Sequence, residues 1–170
     1  MRTHDLLTEG FGRIGEVVRE TVDGLTAEDL SWQSRTGANT VGWLVWHLTR
    51  VQDDHVSEVA GREQAWTEDG WADRFGLPLE TADTGYGHTA AQMASVRVPG
   101  AAELIGYHDA VRERTLAFVA TVGDDDLDRV VDKGWNPPVT LGVRLVSVLS
   151  DDLQHAGQAA YVRGLLRADG

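Results

Sequence analysis

Asp151 and His155 stand four residues apart, and Ala156-Gly157-Gln158 follows at once. On a helix that spacing rotates the chain by about 40° and advances it about 6 Å, so a carboxylate and an imidazole leave one face and can close on a single ion. A metal needs a further ligand. The best candidate is His47, inside the apolar run Val41-Gly42-Trp43-Leu44-Val45-Trp46-His47-Leu48. Two histidines and one carboxylate leave coordination positions for water or substrate, which is the pattern of a catalytic rather than a structural metal.

Other residues compete for these roles. Asp152 rivals Asp151 as the carboxylate, because i, i+3 pairs also meet on a helix surface. Asp54 follows His47 by seven residues and shares its face, but lies roughly 10 Å away along the axis, too far for the same ion. The plainer alternatives are that His47 is a packed core residue and that Asp151 pairs with Arg50 or Arg144. Asp151 stands on a helix whose expected core positions are Val143, Val146, Val148, Leu149, Leu153, Tyr161, Val162, Leu165 and Leu166. A carboxylate buried there without a partner would cost on the order of several kcal/mol, so a cation is required unless it is solvated. His55 and His108, with charged neighbours, read as surface residues, and His4 as part of a first helical turn.

The elements that must position these side chains follow from periodicity. Leu6, Leu7, Phe11, Ile14, Val17, Val18 and Val22 recur at helical spacing from about Asp5 to Asp23, and Gly24 ends the helix. Thr26 to Asp29 has the form of a capping box and predicts a short turn of helix ending near Trp32. Asn39 or Thr40 caps a second helix that runs to about Ala60 and stops at Gly61. From Gly61 to Pro99 the pattern weakens: Trp66, Trp71, Phe75 and Leu77 alternate with acids, glycines and Pro78, and the turn Gly85-Tyr86-Gly87-His88 precedes a short helix through Met93. Such long connections are commonly functional covers, and this one is expected to wall part of the pocket. Leu104, Ile105, Tyr107, Val111, Leu116, Phe118 and Val119 mark a third long helix, and Thr140 caps a fourth that runs to about Arg167. Each half therefore reads as helix, acidic turn, loop and helix, and two such hairpins predict an all-α four-helix bundle with a long, partly irregular connection between helices two and three.

Composition narrows the function. At 170 residues the chain is the size of one domain, expected to span 1–170. A formal charge of −12 argues against nucleic acid and anionic membrane as partners. Cysteine is absent, which excludes disulfides, Cys-type zinc sites and a protein thiol nucleophile, so any thiol chemistry must use an external thiol. No apolar run reaches membrane-spanning length, and the opening residues lack a basic segment followed by an apolar one, so a soluble cytoplasmic protein is expected. Among 15 basic residues only Lys133 is a lysine, a codon bias that points to a high-GC bacterial genome.

The segment Trp43 to Leu48 and the His155-Ala156-Gly157-Gln158 signature resemble the DinB/YfiT-like metalloenzyme superfamily, over nearly the whole chain. The nearest branch in likeness contains mycothiol-dependent maleylpyruvate isomerase and the mycothiol and bacillithiol S-transferases. The resemblance implies a bundle of the DinB/YfiT-like type. It also implies ligands at His47, Asp151 and His155, with Asp151 preferred over Asp152 and standing where many members carry histidine. Zinc is the expected ion, with nickel, manganese or iron as alternatives. Gln158, Asp152, Arg50, Trp43 and Trp46 are the supporting or pocket candidates. Gln158 would orient a ligand or tie helix ends together, with packing as the alternative. Arg50 would meet a carboxylate on thiol or substrate and Trp43 and Trp46 would wall the site, with core packing or solvent exposure as the alternative for each. No catalytic acid or base is assigned.

The function implied is a divalent-metal-dependent transferase that uses mycothiol or a similar low-molecular-weight thiol on a small electrophile, or a related thiol-dependent isomerase. Two other classes share the motifs: a non-catalytic metal-binding or stress-response module acting as a homodimer, and a non-haem iron(II) oxygenase, whose facial triad has the same donors.

Overall fold

A computed structural model describes residues 1–169. Four long helices dominate it: α1 (Thr3–Val22), α3 (Val41–Ala60), α7 (Ala101–Val119) and α8 (Leu141–Asp169). Shorter pieces connect them: α2 (Ala27–Leu30), α4 (Ala65–Glu68), α5 (Trp71–Phe75), α6 (Ala90–Ser95), a 3-10 turn (Asp124–Asp126), and a two-stranded antiparallel ribbon of β1 (Val130–Asp132) and β2 (Val139–Thr140). α3 packs against α8 and α7, and α1 packs against the same two, so each long helix lies between two others.

The caps read from the sequence are present. Thr26 accepts the Asp29 amide at 3.1 Å while Asp29 accepts the Thr26 amide at 2.8 Å, closing the capping box of α2. Thr40 accepts the Trp43 amide at 3.0 Å and starts α3. Gly61 ends that helix in the left-handed region, at φ 67°, which lets the Arg62 amide reach back to the Ser57 carbonyl. Every residue from 41 to 50 is buried, as expected of a helix with apolar side chains on most faces.

α8 differs from expectation in its face. Its buried stripe runs through Leu141, Leu145, Val148, Asp152, Ala156 and Ala159, whereas Val143, Val146, Leu153 and Tyr161 are exposed. Asp152 therefore occupies the core stripe, and Asp151 stands beside it on the flank. His108, expected on the surface, is buried on α7 together with Leu104, Val111 and Thr115, whose helical spacing it shares.

In the C-terminal half of α3, Asp53 ties the connection that follows to the helices. Its carboxylate accepts the amides of Ala65 and Trp66 at the start of α4, and the Tyr107 hydroxyl of α7. The ribbon was absent from the periodicity reading because strands of three and two residues carry no alternation to detect.

Candidate metal centre

α3 and α8 bring His47, Asp151 and His155 together so that one ligand atom from each lies within 4.8 Å of the others. His47 is buried and the other two are half-buried; His47 and Asp151 line a cavity of about 850 Å³. His47 donates from Nδ1 to the Thr84 carbonyl at 2.5 Å. Because a carbonyl only accepts, the proton resides on Nδ1 and the Nε2 lone pair is free. His155 has the matching arrangement on α8, with Nδ1 2.9 Å from the Gln158 side-chain oxygen. Its Nε2 lies 3.5 Å from Asp151 Oδ1, and the second Asp151 oxygen is buried without a hydrogen-bond partner among the described residues. Two free imidazole lone pairs and a carboxylate with an orphaned oxygen fit a divalent cation, and each imidazole is oriented through its other nitrogen.

The ionisation of the three groups is consistent with this. Burial lowers the His47 imidazole below its ordinary value, partly opposed by the Thr84 bond, and so keeps it neutral. Burial alone would raise Asp151; the His155 hydrogen bond and the nearby imidazoles reverse that and hold it low. The bond to Asp151 raises His155 despite its burial, so a cation, whether proton or metal, is favoured between the two.

Asp152 lies outside this group. It is fully buried with neither oxygen partnered among the described residues, and burial with the neighbouring Asp151 charge pushes its carboxyl well above the usual range.

Arg50 cannot meet a substrate. Its side chain is wholly buried and donates to the Asp83 carbonyl, Gln64 and Tyr107. Arg144, the other suggested partner of Asp151, pairs instead with Asp132 of the ribbon at 3.0 Å. Trp43 and Trp46 do not line the cavity. Trp43 stacks on His47 at 4.6 Å with an interplanar angle of 14°, and Trp46 is buried against Trp66.

The cavity wall includes residues that sequence reasoning missed. The long connection contributes Arg62, Glu63, Gln64, Thr84 and Tyr86, and the ribbon contributes Asp132 and Trp135. His55 lines it too, half-buried, its Nδ1 3.2 Å from an Arg144 guanidinium nitrogen. The guanidinium can only donate, which leaves the His55 proton on Nε2. The turn Gly85 to His88 was visible as a sequence feature, but nothing in its spacing tied it to His47.

A family model described as mycothiol-S-transferase matches residues 7–168. No curated protein matches the chain. Among solved structures, the chain is similar to one titled as the conserved protein of locus from Enterococcus faecalis, with a TM-score of 0.91, 32% identity and 99% of each chain covered.

Proposed function

For a chain that belongs to the mycothiol S-transferase family, we propose a divalent-metal-dependent transfer of a mycothiol-like thiol to a small electrophile, centred on His47, Asp151 and His155. The observation that carries it is the convergence of those donors, with Nδ1 of each histidine already engaged, beside a cavity of about 850 Å³ that His47 and Asp151 line. His47 and His155 offer Nε2 and Asp151 its carboxylate to zinc, our first choice of ion. Bound there, the ion supplies Lewis-acid chemistry that stabilises a thiolate at neutral pH, the nucleophile this cysteine-free chain lacks. Thr84 and Gln158 hold the imidazoles in the liganding tautomer, Trp43 backs His47, and His55 presents an Nε2–H donor at the cavity wall. Tyr86 and Trp135, both exposed, lie at the same cavity and offer flat surfaces to a substrate.

We read the four long helices as one DinB/YfiT-like four-helix bundle working in the cytoplasm. A homodimer is supported by the exposed side chains of Val143, Val146, Leu153 and Tyr161 along one side of α8, and sedimentation velocity tests it.

The functional test is optical. Cobalt(II)-loaded protein is expected to develop a sulfur-to-metal charge-transfer band when mycothiol is added, and thiol consumption should follow addition of an electrophile. No spectral change with any cellular thiol in folded, metal-loaded protein would remove the transferase reading. Oxygen consumption dependent on iron(II) would replace it with the oxygenase, and failure to retain any metal with the non-catalytic module.

A further inference from the structure

The loop between α5 and α6 grips His47 through Thr84, and that loop is fastened by an Asp–His pair that takes no direct part in the proposed ligand set. We infer that Asp83 and His88 are positioning residues: with Trp43 they hold the Thr84 carbonyl on Nδ1 of His47, and so fix the face and tautomer that His47 presents to the cavity. The consequence for metal binding rests on the ligand set proposed above, whereas the geometry does not.

The contacts form a closed circuit. Both oxygens of Asp83 lie 3.0 Å from Nε2 of His88. The Trp43 indole donates to Nδ1 of His88 at 3.2 Å. An indole N–H can only donate, so His88 must accept at Nδ1 and carry its proton on Nε2, facing the carboxylate. Trp43 lies one helical turn before His47 and stacks on it. His47 donates to Thr84, and the backbone returns through Thr84 to Asp83. Asp83 also accepts the Gly85 amide at 2.7 Å, and its carbonyl accepts from the buried Arg50 guanidinium at 3.2 Å.

The fit is tight. Gly85 adopts φ +88°, and a β-carbon there would lie 2.9 Å from Nδ1 of His47 and 2.9 Å from the Trp46 ring. The His88 side chain is only 3% exposed, and burying an imidazole is costly unless both nitrogens are satisfied, as they are here.

A loop anchor with no other role would change stability alone. A positioning pair must also change what His47 offers, and three variants separate the two. Asp83→Ala and His88→Leu break the circuit, whereas His88→Gln keeps an acceptor for Trp43 and a donor for Asp83. In metal-free protein, ring-nitrogen NMR should show His47 as the Nδ1–H tautomer in the wild type and in His88→Gln, and as a mixture in the two breaking variants. Zinc(II) affinity, measured by competition with a chromophoric chelator, should fall about 10- to 100-fold in the breaking variants and be largely restored by glutamine. An unchanged His47 tautomer and unchanged zinc affinity in folded Asp83→Ala and His88→Leu would overturn the inference. So would losses that follow the melting temperature in every variant and are not restored by glutamine. If wild-type protein itself binds neither zinc nor another divalent ion, the proposed function fails, and the His47 tautomer alone decides the role of Asp83 and His88.

Discussion

Adjacent aspartates on α8 have opposite surroundings. Asp151 stands on the flank beside two imidazoles, while Asp152 is sealed in the core stripe. Asp151→Ala and His155→Ala should therefore reduce metal content from about one ion per chain to near zero, measured by elemental analysis on folded protein. Asp152→Leu should keep the metal and raise stability by about 1 kcal/mol or more in urea unfolding, because it removes a buried carboxyl without a partner. Loss of metal in Asp152→Leu with retention in Asp151→Ala would exchange their roles. Gln158 acts one bond further out. Gln158→Leu leaves Nδ1 of His155 without its acceptor, and zinc affinity should drop about tenfold while the melting temperature stays near that of the wild type.

At the scale of elements, α3 is positioned by the residue that caps it as much as by its core. Thr40 is buried and its hydroxyl accepts the Trp43 amide, so Thr40→Ala should cost about 1 kcal/mol in chemical unfolding, with serine restoring most of it. The caps at Thr26 and Thr40 and the stop at Gly61 were legible in the sequence because each is a local interaction between residues within a few positions. His47, Asp151 and His155 could be paired for a related reason: the i, i+4 spacing on α8 is local, and His47 interrupts a run that is otherwise almost wholly apolar. In the connection from 61 to 99 the short helix through Met93 is present as α6, whereas α4 and α5 resisted because they span four and five residues, too short for a helical period to show. Asp83 and His88 take their meaning from Trp43, forty residues or more away, and the choice between core and pocket for Arg50 stayed open for the same reason: its partners Gln64, Asp83 and Tyr107 converge only in the fold. The stripe of α8 was misassigned because its apolar residues occupy more than one face, and only packing against α3 and α1 selects the buried one.

Across the molecule, the packing of α7 against α1 should tie stability to pH through His108. This imidazole is 2% exposed, its Nε2 has no partner among the described residues, and its neighbours include Gly15 of α1. Burial lowers its pKa from 6.5 to about 4, with Asp109 acting in the opposite sense and Arg112 and Arg19 reinforcing the shift. The sign follows from proton uptake: between these values the unfolded chain binds the proton and the folded chain does not, so stability increases with pH. The contribution is present in full above about pH 6.5 and is lost progressively as pH falls to about 4, amounting to about 3 kcal/mol at the limit. His155 and Asp151 also titrate, so the measurement must be a difference. Urea unfolding of metal-free wild type and His108→Met, followed from pH 7.5 to pH 4, should give curves that diverge as pH falls, the wild type losing more stability than the variant. Parallel curves would mean that His108 gains its proton without disturbing the α1–α7 contact, and the acid sensitivity of the fold would then belong to other groups.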